Sequence, residues 1–172
     1  MINRSGRSVL FLLLLALTGL LSAARAAVAA DVLLWQSCFV AAGHKYGIDP
    51  LLLEAIARQE SGLNPLAVND RNTDGSSDYG LMQINTLHIP GLVREGLISG
   101  YRDLLTRPCL NIQIGARLLA RHFQRCGVNW NCLGSYNAGF ADARHRLRER
   151  YADRVWPRYR ELLRERRGGR VL

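Results

Sequence analysis

The chain has 172 residues and a formal net charge of +9. That length is enough for one domain with a real core. The absence of an internal repeat, a heptad run or a Gly-rich phosphate loop excludes a solenoid, a coiled coil and a P-loop nucleotide binder.

The N-terminus reads as a leader. Arg4 and Arg7 precede an apolar run from Val9 to Leu21, and small residues follow, with Ala-x-Ala options at Ala24-Arg25-Ala26 and Ala27-Val28-Ala29. That is the layout of a secretory signal peptide. The run is shorter than the ~20 residues of a membrane span, which leaves an uncleaved anchor as the alternative. The pattern therefore predicts a signal peptide over 1–30, a mature domain over 31–166 and a loose tail over 167–172. No later stretch is long and apolar enough to cross a bilayer.

Residues 31–46 predict a first helix, with Leu34, Cys38, Ala41 and Ala42 on its apolar stripe and Gly47 closing it. The second helix runs from Asp49 to about Ser61. Asp49 suits the N-cap and Pro50 the first turn, while Gly62, Asn64 and Pro65 stop it. Leu52, Leu53, Ile56 and Ala57 share one face, and Glu60 continues that face into the last turn. A carboxyl there is disfavoured as an anion by the apolar surroundings and by the negative end of the helix dipole. A carboxyl kept protonated near neutral pH is what a general acid needs. The plain alternative is a surface glutamate at a frayed helix end.

From Leu66 to Gly80 the chain is rich in turn formers. Asp70-x-Asn72-x-Asp74-Gly75 matches the first half of a calcium loop, but Leu81 stands where the bidentate glutamate belongs, so an Asx-rich turn is the better reading. Gly80-Leu81-Met82-Gln83-Ile84-Asn85 predicts a short strand or helical turn, with a small hairpin around Asp70 to Ile84 as the expected sheet. His88 reads as structural or exposed. Short elements follow over 91–100 and 101–105. Pro108 and Cys109 open a helix whose face carries Ile112, Gly115, Ala116, Leu119 and Phe123, with Gly115 placed for close approach of another helix. A short helix from Trp130 to Gly139 brings Tyr136 and Asn137 to its end. The last helix, 142–166, carries Leu147, Tyr151, Val155, Tyr159, Leu162 and Leu163 as apolar members, with Pro157 as a kink or fresh start.

Four cysteines, an even count on an exported chain, favour disulfides. Of three pairings, Cys38–Cys109 with Cys126–Cys132 is preferred: the second closes a small loop and the first ties the first helix to a later one. A zinc site of His122, Cys126 and Cys132 lacks the usual spacing. Arginines crowd the last thirty or so residues, suiting an anionic partner such as cell-wall polymer or lipid headgroups rather than nucleic acid. Interleaved Glu149, Asp153, Glu161 and Glu165 also fit a solvated helix face.

Three strings stand in order: Ala57-Arg58-Gln59-Glu60-Ser61-Gly62-Leu63-Asn64-Pro65, Gly80-Leu81-Met82-Gln83-Ile84-Asn85 and Ser135-Tyr136-Asn137-Ala138-Gly139. Together they resemble the soluble lytic transglycosylase catalytic domain over about residues 33 to 163. Within that family the chain looks most like the small specialised enzymes of type III and type IV secretion systems, pili and conjugation machines. The resemblance implies a mainly α, lysozyme-like, two-lobed domain with a glycan groove, periplasmic after export and monomeric. It implies peptidoglycan glycan strands as substrate, with secretion or pilus components as further partners. It implies Glu60 as the sole catalytic carboxyl, with Ser61 supporting the helix end and Asn69 near the reacting sugar. Met82 and Gln83 would line the groove, Tyr136 and Asn137 would contact sugar or position Glu60, and Tyr151 would pack against the site. No metal or cofactor is required.

The implied reaction cleaves the MurNAc-β-1,4-GlcNAc bond and leaves 1,6-anhydroMurNAc ends. Ordinary glycosidases use two carboxyls, and no second acid here stands in a comparably apolar stretch, since Asp70, Asp74 and Asp78 all fall in the polar loop. The rivals are a lysozyme-type hydrolase using a loop aspartate as base, and a non-catalytic wall-binding module that recruits a secretion apparatus.

Overall fold

The computed structural model describes residues 35–169. The expected signal peptide, residues 31–34 of the first helix and the last three residues of the expected tail lie outside the described residues. From Ser37 on the chain forms one compact unit; of the separate unit before it, only residues 35 and 36 are described.

The order of elements is α1 (35–46), α2 (Pro50–Ser61), β1 (Val68–Asn69), β2 (Asp78–Tyr79) and β3 (Ile84–Asn85), then α3 (Ile89–Arg94), α4 (Tyr101–Thr106), α5 (Pro108–Cys126), α6 (Trp130–Ala138) and α7 (His145–Arg167). Single 3₁₀ turns, Thr86–His88 and Asp142–Arg144, lead into α3 and α7. The fold is mainly α, as the helical periodicities predict. The sheet is larger than the expected hairpin: three two-residue strands pair antiparallel in the order β1-β2-β3.

α2 begins and ends on the residues that the capping pattern predicts. Asp49 Oδ1 accepts the Leu51 N–H at 2.9 Å. Gly62, at φ 61°, turns left-handed and sends its N–H back to the carbonyls of Ala57 and Arg58. The apolar stripe is wider than predicted. Leu51, Glu54 and Ala55 are buried with Leu53, Ile56 and Ala57, whereas Leu52 is half-buried. Burial of Leu53 and Ile56 stabilises by about 1.5–3 kcal/mol each. Glu54 tolerates burial because Arg58, one turn on, pairs with it at 2.8 Å.

α7 is why α2 is enclosed so fully. The two helices are joined at both ends in antiparallel sense: Tyr159 Oη donates to Asp49 Oδ2 at 2.6 Å, and Tyr151 Oη donates to Glu60 Oε1 at 2.5 Å. α7 runs unbroken through Pro157, so no fresh start occurs there. Tyr151 and Val155 before the proline and Leu162 after it are all buried, and this packing holds the helix across the missing N–H. Leu147, another apolar member of this helix, is exposed.

Two glycines set how closely elements approach. Gly134 in α6 lies against the α7 backbone, where a Cβ would stand 2.1 Å from the Arg148 carbonyl oxygen. Gly115 in α5 is closely approached too, but by the Met82 side chain rather than by a helix; a Cβ there would meet Met82 Cβ at 2.7 Å. Two disulfides complete the scaffold. Cys38–Cys109 joins α1 to α5, and Cys126–Cys132 joins the end of α5 to α6. With both cysteines of the zinc reading bonded to each other, His122 has no cysteine ligands to share.

Candidate active site

An open cleft of about 710 Å³ is lined by the end of α2, the sheet with its connecting loop, α5, α6 and the start of α7. Glu60 lies on its wall, on the last turn of α2. Burial lifts its carboxyl from the ordinary 4.5 to about 7; the Tyr151 hydrogen bond and the charge of Arg154 oppose that rise, and the charge of Asp78 adds to it. Near neutral pH such a group holds a proton that it can give up, and Tyr151 fixes the direction in which it points. The Tyr151 side chain is fully buried, and burial and the Glu60 charge push its own phenol well above the usual range, so it remains a donor. Tyr151→Phe removes a bond that favours the carboxylate. The Glu60 titration midpoint, followed by ¹³C NMR of the labelled carboxyl, is expected to rise above its wild-type value, and an unchanged midpoint would mean that this bond does not act on the carboxyl's charge.

A turn before β3 is held to the end of α2 and to α5. Ser61 Oγ lies 3.1 Å from the Ala57 carbonyl and 2.9 Å from that of Leu81, so it ties the last turn of α2 to the Gly80–Asn85 segment. Asn111, fully buried in α5, accepts the Met82 N–H at 2.7 Å and donates to the carbonyls of Tyr79 and Leu104 at 2.8 and 3.0 Å. Gly80 is required beneath it: at φ 75° a Cβ would stand 2.3 Å from Asn111 Nδ2. Tyr136 Oη donates to the Met82 carbonyl at 2.9 Å. Gln83, at φ 46°, sits in the left-handed region and donates its amide to Gly80 O at 2.9 Å.

The residues expected around the sugar therefore separate. Glu60, Gln83, Tyr136 and Asn137 line the cleft together. Met82 does not: its side chain is fully buried against Gly115, and only its backbone serves Tyr136 and Asn111. Ser61 stands behind the wall as a tether. Asn69 likewise is off the cleft wall, donating to Asn72 Oδ1 and to Asp78 Oδ2, both at 3.0 Å. Asp78, expected in a polar loop, is brought to the cleft beside Asn72, Asp74 and Asn85.

Other cleft residues had no place in the expected glycan site. His122 Nδ1 lies 2.6 Å from Ser135 Oγ, whose hydroxyl donates to Cys132 O at 2.6 Å, so the imidazole N–H donates to the serine. His122 also stacks on Phe140 at 4.6 Å. Burial first, then the neighbouring charges of His88 and Arg125, hold its pKa below 6.5. Asn111 carried a readable signal, since it is a polar side chain set among small and apolar residues on the face shared with Gly115 and Leu119. The contact of His122 with Ser135 and Phe140 carried none, because only the tertiary fold brings α5 and α6 together at the cleft. Among the described residues no group of three or more His, Cys, Asp or Glu is arranged to hold a metal ion, and no helix is long and apolar enough to cross a membrane.

Comparison with known proteins bears on this geometry. The family described as "Transglycosylase SLT domain" matches residues 37–158. A "Peptidoglycan-binding-like protein" of Escherichia coli O157:H7 is 47% identical over 131 residues, covering 74% of this chain and 78% of that protein. "Invasion protein IagB" of Salmonella typhimurium is 40% identical over 128 residues, with 74% and 78% covered. "Protein IpgF" of Shigella sonnei is 41% identical over 130 residues, with 74% and 82% covered. Among solved structures, an inactive mutant of the lytic transglycosylase Slt from Pseudomonas aeruginosa superposes with a TM-score of 0.59 at 21% identity, over 78% of this chain and 24% of that one, and so shares the fold. The chain belongs to the transglycosylase SLT domain family and is a peptidoglycan lytic transglycosylase.

Proposed function

We propose that Glu60 is the catalytic acid and that the protein cleaves the MurNAc-β-1,4-GlcNAc bond without consuming water. The observation that carries this reading is the Glu60 carboxyl, lifted to about 7 and aimed by Tyr151, on the wall of an open cleft. The Glu60 proton passes to the glycosidic oxygen as its bond to the muramic C1 breaks. The positive charge left at C1 is shared by the substrate's own 2-acetamido group. Ionised Glu60, stabilised by the Tyr151 hydroxyl and by Arg154, then takes the proton of the muramic 6-hydroxyl, and O6 closes on C1. Glu60 ends as it began, and the new chain end is 1,6-anhydroMurNAc. Gln83, Tyr136 and Asn137 present polar groups to the glycan from the cleft wall.

The presence of Asp78 in the same cleft favours a second reading, hydrolysis with Asp78 as base to a water. Mass spectrometry of muropeptides released from purified peptidoglycan separates the two. Anhydromuramic ends are expected, and reducing muramic ends would establish the hydrolase instead. The leader-like N-terminus supports a periplasmic protein. Local opening of the wall for a secretion or pilus apparatus is the role this activity would serve, and one relative is named as an invasion protein.

A further inference from the structure

The cleft has a region that the proposed reaction does not use, and a histidine is fixed in it. The His122 ring stacks on Phe140 at 4.6 Å, and the Arg125 guanidinium packs on the same Phe140 ring at 4.1 Å. The proton on the imidazole is fixed too. Ser135 has one hydroxyl proton and gives it to Cys132 O, so Nδ1 carries the proton that it donates to Ser135. Cys132 is held in turn by its disulfide to Cys126 and by Asn129, whose side chain accepts the Cys132 N–H at 2.8 Å. Burial, with the charges of His88 and Arg125, keeps the ring from taking a second proton near neutral pH. Nε2 is therefore an acceptor. Among the described residues no hydrogen bond engages it, and it is not sealed inside the wall.

The same cleft adds apolar surface and a cation. Leu118 lies one turn before His122 on α5, and Leu147 on α7 lines the cleft with 42% of its surface exposed. Arg144 is also on the cleft wall; its Nη1 donates to the Ala138 carbonyl at 3.2 Å, and among the described residues it forms no ion pair. Tyr136 neighbours both this region and the acid: its ring stands 6.3 Å from that of His122, and it feels the charge of Glu60. One arm of a peptidoglycan strand carries the matching series of groups. The ether at muramic O3 bears a lactyl methyl, then an amide N–H, an alanyl methyl and, on the next residue, a carboxylate. The 2-acetamido group, the other N–H of the sugar, has one methyl and no charge. An acceptor among leucines with an unpaired cation fits the arm better than the acetamido group.

We propose that His122 is a specificity-determining residue: its Nε2 accepts the first amide N–H of the stem peptide, while Leu118 and Leu147 cover the methyl groups and Arg144 meets the carboxylate. The region is then a subsite for an acidic peptide within the glycan cleft. A strand stripped of its peptides leaves the acceptor to water and the leucines uncovered. The assignment rests on the cleft taking peptidoglycan. Its readouts are binding measurements, so they do not depend on which carboxyl is the acid or which products form.

The mature protein, ¹⁵N-labelled at histidine, is titrated with N-acetylmuramoyl-L-alanyl-D-glutamate and separately with N-acetylmuramic acid. Both ligands carry the acetamido N–H, and only the first carries the alanyl N–H. The His122 Nε2 resonance is expected to shift with the first and to hold its place with the second. The peptide ligand should bind about tenfold tighter, the scale of one hydrogen bond with the methyl it brings. In His122→Leu, where Ser135 keeps its bond to Cys132, that preference should shrink to within about twofold. His122→Gln keeps an oxygen acceptor near the place of Nε2 and should recover most of the preference; a role in packing alone would leave the preference the same in both variants. Equal Nε2 shifts with the two ligands would give the acceptor to the acetamido group and overturn the proposal. So would an unmoved Nε2 resonance at saturation with the peptide ligand. Both of these readings use the wild-type protein, so they hold whether or not either variant folds.

Discussion

Glu60→Gln is expected to lose activity by a factor on the order of 10²–10⁴, the range that a positioned general acid supplies, while its fold is unchanged. Glutamine has no proton to give but has the same length, and its carbonyl oxygen can still accept from Tyr151, whose hydroxyl has its partner at 2.5 Å in the native protein. The same variant carries a stability signature with a definite sign. The Glu60 carboxyl binds its proton more tightly in the folded chain, at about 7, than at its ordinary 4.5. Between those pH values the folded state holds more protons than the unfolded one, so rising pH costs wild-type stability, by an amount on the order of 1–3 kcal/mol. Below pH 4.5 both states are protonated and the cost is absent. Glutamine does not titrate, so the stability of the variant relative to wild type should climb from pH 4.5 to 7 and then level. Taking the difference removes the contributions of His88 and His122, which titrate in both proteins. Activity retained in a folded variant would remove Glu60 from the acid role. A flat difference against pH would show that its carboxyl is not held out of water.

The place of Glu60 at the end of the apolar face of α2 was legible in the sequence because a helix has a period. Positions 53, 56, 57 and 60 fall on one face, and the capping residues Asp49 and Gly62 fix where the helix starts and stops. Local rules of this kind also read α5, α6 and α7 to within a few residues. They failed wherever a side chain's surroundings come from elsewhere in the chain. Asp78 sits among turn formers, and nothing in Ser77-Asp78-Tyr79 shows that β1 and β3 will close on it from both sides with asparagines. The resemblance implied Met82 on the groove with Gln83, yet Met82 is fully buried against Gly115 while Gln83, at φ 46°, lines the cleft. Gly115 and Gly134 look alike in sequence. One accommodates a methionine side chain and the other a helix backbone, a distinction that exists only after packing. Pro157 shows tertiary packing overriding a local preference outright.

Replacing the Cys38–Cys109 pair by alanines is expected to destabilise the folded domain by about 4 kcal/mol, against about 2 kcal/mol for the Cys126–Cys132 pair. A cross-link limits the freedom of the unfolded chain in proportion to the logarithm of the loop it closes. The first bond closes a separation of 71 residues and the second a separation of 6. The first also anchors α1, which otherwise depends on the burial of Phe39 and Ala42 and on the turn at Gly43, where Gly43 O accepts the Ile48 N–H at 3.0 Å. The second joins the end of α5 to α6, two helices that already pack together at the His122–Ser135 contact, so its loss removes less. Urea denaturation of each double variant beside the wild type measures both numbers. The ordering matters for the site as well as for the scaffold. α5 carries Asn111, which holds the Gly80–Gln83 turn, and that turn takes the hydroxyls of Ser61 and Tyr136. Loss of the long-range bond should therefore lower activity at temperatures where the short-range variant is still fully active, and equal losses from the two variants would show that α1 is held by packing alone.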